Sequence, residues 1–171
     1  ESPAGEYPII VSGAEAANYS ITHINGTLTI GRVIPVITWD TPAQIIYGTE
    51  LGPDQLNASS DIGGTFLYNP SAGTILSAGE HTLRAYFTPA DLDTAARAQA
   101  GVTLVVEPAI LVIRADNQQR KYHEPNPPLT VTYEGFVNGE DEGVLSRLPT
   151  VETSATFDVP SGEYSITASG A

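Results

Sequence analysis

One stretch of this chain occurs twice. Residues 3–14 and 160–171 share Pro3/Pro160, Gly5/Gly162, Glu6/Glu163, Tyr7/Tyr164, Ile9/Ile166, Ser12/Ser169, Gly13/Gly170 and Ala14/Ala171 at a constant offset of 157 residues (Tyr7 to Tyr164). Self-similarity at a fixed period points to a repeat architecture and has to be settled before any local feature is read. The first copy continues into residues 15–30, whereas the second reaches the last residue of the sequence. The expectation is one period of a tandem repeat with a short overlap. Residues 1–32 would then be the C-terminal part of one domain, 33–108 a complete domain, and 109–171 the N-terminal part of the next. The sequence contains no Met and opens on no signal peptide, so it reads as a processed chain or a window from a longer one.

The local pattern is that of short strands. Tyr7, Ile9 and Val11 alternate with Pro8 and Ile10, and Pro8 argues for a sheet edge because it cannot donate to a ladder. Asn25-Gly26 lies between the alternating runs 19–24 and 27–30, the signature of a type I′ hairpin. That hairpin would gather Tyr19, Ile21, His23, Leu28 and Ile30 on one apolar face. In 33–108, turn residues recur between short alternating runs, among them Leu83, Ala85 and Phe87 and then Val102, Leu104 and Val106. This spacing is that of a β-sandwich. Only Asp91–Ala100 has room for a helical turn. In 109–171, Ile110–Ile113, Leu129–Tyr133 and Thr150–Phe157 are further strands, the proline-rich segment 124–128 is a loop and Asn138–Gly143 an acidic turn. The expected fold class is all-β: tandem Ig-like β-sandwich domains forming an extended rod, joined at Gly31–Pro35 and Glu107–Ala109 by short proline-containing linkers.

The net charge of −13 is spread along the chain, which disfavours nucleic acid and anionic membrane surfaces as partners and favours solubility. With no cysteine there is neither a disulfide framework nor a thiolate metal site. His23, His81 and His123 fall in different segments with no metal-type spacing, and no nucleophile motif accompanies them, so no enzymatic function is expected. Asp91 and Asp93, or Glu140, Asp141 and Glu142, offer hard oxygens to calcium, but Ca²⁺ needs six or more and the bland reading is two solvated loops. Trp39 suits either a sandwich core or stacking on a sugar, and the core reading is favoured in an apolar strand.

Several of these motifs carry a family resemblance. Ala115-Asp116-Asn117, Tyr122, Pro125-Asn126-Pro127, Leu129-Thr130, Tyr133, Gly135-Phe136-Val137-Asn138-Gly139, Gly162-Glu163-Tyr164 and Ser169-Gly170-Ala171, with Asn18-Tyr19 and Asn25-Gly26-Thr27-Leu28 from the first copy, resemble the MBG domains. His123 stands where that family usually has glycine. Residues 36–106 resemble a second bacterial Ig-like type through Ile37-Thr38-Trp39, Thr41-Pro42-Ala43, Ile46-Tyr47-Gly48-Thr49, Gly64-Thr65-Phe66, His81-Thr82-Leu83 and Phe87-Thr88-Pro89. The resemblance implies modules of long repetitive bacterial surface and secreted proteins, acting as spacers or adhesive repeats with no catalytic set.

The expectation is therefore a structural repeat of an extracellular or cell-surface fibre or adhesin stalk, without cofactor or membrane insertion, whose partners are other copies met head to tail. A carbohydrate- or receptor-binding module, with glycans as partners, is the alternative. Assembly would use Tyr19, Ile21, Leu28 and Ile30 on one side and Tyr164 and Ile166 on the other. The repeats would be either one continuous chain or separate subunits completed by a neighbour's strand. At about 3.3 Å per residue, strands of about ten residues give domains of about 35–40 Å and an advance of about 70–80 Å per repeat.

Overall fold

The computed structural model describes residues 2–170. The chain is all-β: twelve strands and one 3-10 turn at Glu142–Val144, with no α-helix among the described residues. Accordingly, no helix is long and apolar enough to cross a membrane. Two compact units are distinguished. The first comprises residues up to Gln44 with Glu50–Ile75 and Glu80–Val105; the second comprises Ile45–Thr49, Leu76–Gly79 and the chain from Val106 on.

In the first unit, β1 (Gly5–Ile9) pairs antiparallel with β2 (Gly26–Ile30), with Tyr7 opposite Leu28. A small ladder joins β3 (Ile37–Thr38) to β5 (Ser59–Ser60), and β6 (Gly64–Asn69) pairs antiparallel with β7 (Gly79–Pro89). The larger sheet contributes β8 (Ala98–Glu107), β7 and β6 in that order to this unit, while β4 (Ile45–Ile46) belongs to the second unit, where it pairs in parallel with Val106–Glu107. The alternation expected from sequence is realised in β7. Leu83, Ala85 and Phe87 are fully buried while Arg84 and Tyr86 are exposed, because successive strand residues point to opposite faces. Leu104 on β8, Ala95 in the loop before it and Leu51 ahead of β5 are buried as well. Phe87 meets Phe66 at 4.9 Å, Phe66 stacks on Tyr68 at 6.0 Å, and Trp39 meets the Tyr68 ring edge-on at 5.5 Å. This aromatic series links the end of β3 to β6 and β7, so Trp39 is a packing residue, and its indole N–H donates to the Gln55 carbonyl at 3.1 Å. Residues 91–95 make one helical turn, closed by Ala95 N–H to the Asp91 carbonyl, before β8 begins.

The hairpin expected at Asn25-Gly26 does not form. Residues 19–24 belong to no strand, and neither Asn25 nor Gly26 has the positive φ that a type I′ turn demands. Instead β2 takes β1 as its partner, and the Asn25 side chain accepts the Val11 N–H at 3.3 Å just beyond the last ladder pair. The physical reason is cover: the run 19–24 is exposed throughout, Tyr19 at 80% and Ile24 at 83%, so pairing there would leave its apolar face in water.

The other Asn-Gly does make the turn. Asn138 (φ 57°) and Gly139 (φ 74°) are both left-handed, and Glu140 N–H closes onto the Val137 carbonyl at 3.0 Å. The two glycines should therefore respond oppositely to alanine. Gly139→Ala is expected to cost about 1–2 kcal/mol through its positive φ. Gly26→Ala is expected to be neutral or slightly stabilising, since its new methyl would sit in ordinary contact 3.6 Å from Ile9 Cβ. Urea denaturation of the two variants checks this; equal losses would mean that 25–26 is a turn after all.

In the second unit, β9 (Val112–Ala115) pairs antiparallel with β10 (Val131–Glu134), and β11 (Thr150–Thr153) with β12 (Ile166–Ser169). The Asp116 carboxylate accepts from the Thr132 and Thr130 hydroxyls at 2.6 and 2.7 Å, which closes the end of the β9–β10 ladder and, through the Thr132 bond foremost, lowers its pKa below the usual carboxylate value. The proline-rich loop is pinned by Arg120, whose Nε donates to Asn126 Oδ1, and by the Asn126 amide donating to the Ala155 carbonyl, both at 2.7 Å.

Candidate functional site

The duplicated stretch is the feature from which a site can be built, because its two copies have the same local structure. The Tyr7 hydroxyl donates to the Pro3 carbonyl at 2.8 Å, and the Tyr164 hydroxyl to the Pro160 carbonyl at 3.0 Å. Gly5 and Gly162 each leave space where a Cβ would lie 3.8 Å from the tyrosine ring. Gly13 and Gly170 both turn the backbone left-handed, at φ 85° and 84°. A tyrosine tied back to a backbone carbonyl a few residues upstream is a corner device of Ig-like sandwiches. Here it recurs with its sequence.

The copies differ in what they pair with. In the first, the ladder covers Gly5–Ile9, and residues 10–12 lie outside any strand. In the second, the ladder covers Ile166–Ser169, and residues 162–165 lie outside any strand. The laddered halves overlap at one position only, Ile9/Ile166.

The apolar side chains around these strands are only partly covered. Among the described residues beyond Val106 none is fully buried: Ile113, Tyr133, Val151, Tyr164, Ile166 and Ala168 are all half-buried, alternating with exposed neighbours. The same is true of β2, where Leu28 is 52% exposed and Ile30 half-buried. Of the residues expected to serve assembly, Leu28 and Ile30 share β2, and Tyr164 and Ile166 share the second copy of the motif. Tyr19 and Ile21 are exposed in the strandless run. Tyr7, Ile9 and Asn25 were not among the residues expected to serve assembly, although the repeat itself carried the signal for the first two.

Other chemistry is sparse. The Asp91 carboxylate accepts from the Asp93 N–H and the Thr94 hydroxyl, both at 2.8 Å, and the Thr94 bond foremost lowers its pKa. Asp141 accepts the Gly143 N–H at 2.8 Å at the start of the 3-10 turn. These carboxylates organise turns, and among the described residues no group of three His, Asp or Glu is placed to hold a metal ion. His123 has φ 59°, a conformation glycine takes without strain, and its ring rests 5.2 Å from Phe157. An open cleft of about 300 Å³ in the second unit is lined by Tyr47, Pro108, Leu111, Phe136, Val137 and Glu140 among others. Across it the Tyr47 hydroxyl donates to Glu140 at 2.5 Å, and this bond holds the phenol pKa above its ordinary value.

No curated protein and no solved structure shows a significant match to the chain. A family model does match part of it. The segment 111–171, which contains the second copy of the motif, the Asn138-Gly139 turn and His123 at the glycine position, matches the MBG domain (YGX type), a family of structural repeats.

Proposed function

We propose that this chain is a structural tandem-repeat unit of a bacterial extracellular fibre or adhesin stalk, assembled end to end by neighbours that complete one another's Ig-like β-sandwiches. The observation that carries this reading is the open packing beyond Val106, where no apolar strand residue among those described is buried while the core around Phe87 is closed. A strand set in that condition gains from a neighbour: each Leu, Ile or Tyr side chain moved from half-exposed to buried contributes about 1 kcal/mol or more. The match of 111–171 to the MBG domain (YGX type) supports the same reading, as does a net charge of −13, which keeps closely spaced copies from clumping. The work of such a unit is reach and stiffness rather than catalysis.

A chain carrying several repeats in tandem, imaged by electron microscopy, tests the proposal. The expected image is a beaded rod advancing about 70–80 Å per repeat; isolated globules would overturn it. Saturable binding of the isolated repeat on a glycan array would overturn the spacer role in favour of a carbohydrate-binding module.

A further inference from the structure

We infer that Gly162–Ile166 is a docking edge for β2 of a second copy of this chain, in the register that β1 uses for β2 within one copy. Gly162 would then lie opposite Ile30, Glu163 opposite Thr29, Tyr164 opposite Leu28, Ser165 opposite Thr27 and Ile166 opposite Gly26. This rests on the end-to-end reading above and deepens it by naming the two strands that meet and their alignment.

The argument comes from the duplicated motif. Gly5–Ile9 and Gly162–Ile166 share Gly, Glu, Tyr and Ile at matching positions, and they share the tyrosine-to-proline hydrogen bond that shapes the strand entry. One is paired with β2, and the other has no strand partner over 162–165 among the described residues. The side chains that β2 meets in the first copy are therefore present in the second, behind the same tyrosine-to-proline bond. The one sequence difference within the paired stretch is Pro8 against Ser165, and Pro8 sits inside the β1–β2 ladder at a position that needs no N–H toward β2, so the ladder donors are the same in both copies. Exchange of β2 from its own β1 to a neighbour's 162–166 thus substitutes one strand for a near-identical one. Strand exchange between copies is a low-cost route to association, and a head-to-tail contact that does not close propagates along an axis. The β11 ladder over Ile166–Ser169 meets the docked stretch only at Ile166, so the same strand can hold both partners in succession.

Cysteine pairing tests the register, because the chain has no cysteine of its own. Directly opposed residues of an antiparallel pair lie about 4.5–5.5 Å apart at Cα, inside the disulfide range, whereas a shift of two residues takes them to about 7–8 Å, outside it. Two formats are used. One is an equimolar mixture of the full chain carrying Glu163→Cys with the full chain carrying Thr29→Cys. The other is a concatemer in which residue 171 is followed by a second run from residue 15, with Glu163→Cys in the first run and Thr29→Cys in the second. The substituted side chains are exposed, so folding is not at issue, and Glu6→Cys with Thr29→Cys in one chain is the positive control. A Glu163–Thr29 crosslink in either format, with at least about tenfold less from Glu163→Cys against Thr27→Cys, supports the inference. Its absence from both formats, while the intrachain control links, overturns it. The two proposals fail separately: a beaded rod without the crosslink leaves the structural role standing and removes the register, and a crosslink without a rod does the reverse.

Discussion

Truncation of Phe87 to alanine is expected to lower the unfolding free energy of the first unit by about 3–5 kcal/mol, the usual range for removing a buried phenylalanine. Phe87 is 2% exposed, meets the Phe66 ring at 4.9 Å and lies between Leu83 and Ala85 on one side of β7 and the Gly64 backbone on the other. The fit at Gly64 shows how little slack the site has: a Cβ there would overlap the Phe87 ring and stand 2.5 Å from the Thr88 carbonyl oxygen. A core packed that closely cannot collapse fully around a cavity, so both the transfer and the cavity contributions are felt. Against a total stability of about 5–15 kcal/mol for an ordinary domain, the loss is a large fraction. Urea denaturation followed by the fluorescence of Trp39, the single tryptophan and a member of the same aromatic series, gives the measurement. Leu67→Ala is the reference, because Leu67 is 71% exposed on the opposite face of β6 and should cost no more than about 0.5 kcal/mol. Equal effects from the two truncations would mean that Phe87 is not in the core.

Gly135→Ala is expected to be the most damaging single-methyl change in the second unit, at about 3 kcal/mol or more. Two costs fall on one position. Gly135 has φ 115°, where an L-residue is strained by about 1–3 kcal/mol. Its Cβ would also overlap the Ile110 carbonyl and sit 3.5 Å from Leu111 Cα, overpacking that costs a further 1–3 kcal/mol, roughly, because backbone atoms cannot rotate away. Gly135 follows β10 directly, and Ile110-Leu111 lead into β9, so the strain acts at the mouth of that ladder. Amide hydrogen exchange at Ile113 and Tyr133, an opposed pair of the ladder, should accelerate strongly in the variant. Unchanged protection would show that the close approach of 135 to 110 is absent in solution.

Comparison of the two Asn-Gly pairs shows where sequence reading reaches its limit. Both have the turn chemistry, yet only Asn138-Gly139 is left-handed at both residues. The difference does not lie in the dipeptide. Val137 beside the second pair is half-buried and packs near Gly48, whereas the run 19–24 before the first pair is exposed. Local propensity proposes a turn; burial of the flanking strands decides whether it forms. The same logic explains why the alternation in β7 could be read in advance. Leu83, Ala85 and Phe87 repeat with the strand period, and that period is a property of the backbone alone. The helical turn at 91–95 was legible too, since Asp91 with Thr94 three residues on is a capping pattern, whereas those at 52–56 and 142–144 were not expected. His123 was legible as a departure, but not as a residue held left-handed against Phe157.

By itself the sequence determined that this chain is built of short strands, that Leu83, Ala85 and Phe87 share one face of a strand, and that one strand motif is used twice. Each of these follows from periodicity or identity, which need no knowledge of what lies across the fold. Only the tertiary structure decided that β2 pairs with β1 rather than with 19–24, and that the two copies of the motif are laddered along different halves. Strand pairing is a non-local choice between edges of similar backbone chemistry, and the edge that wins is the one whose side chains leave the least apolar surface in water.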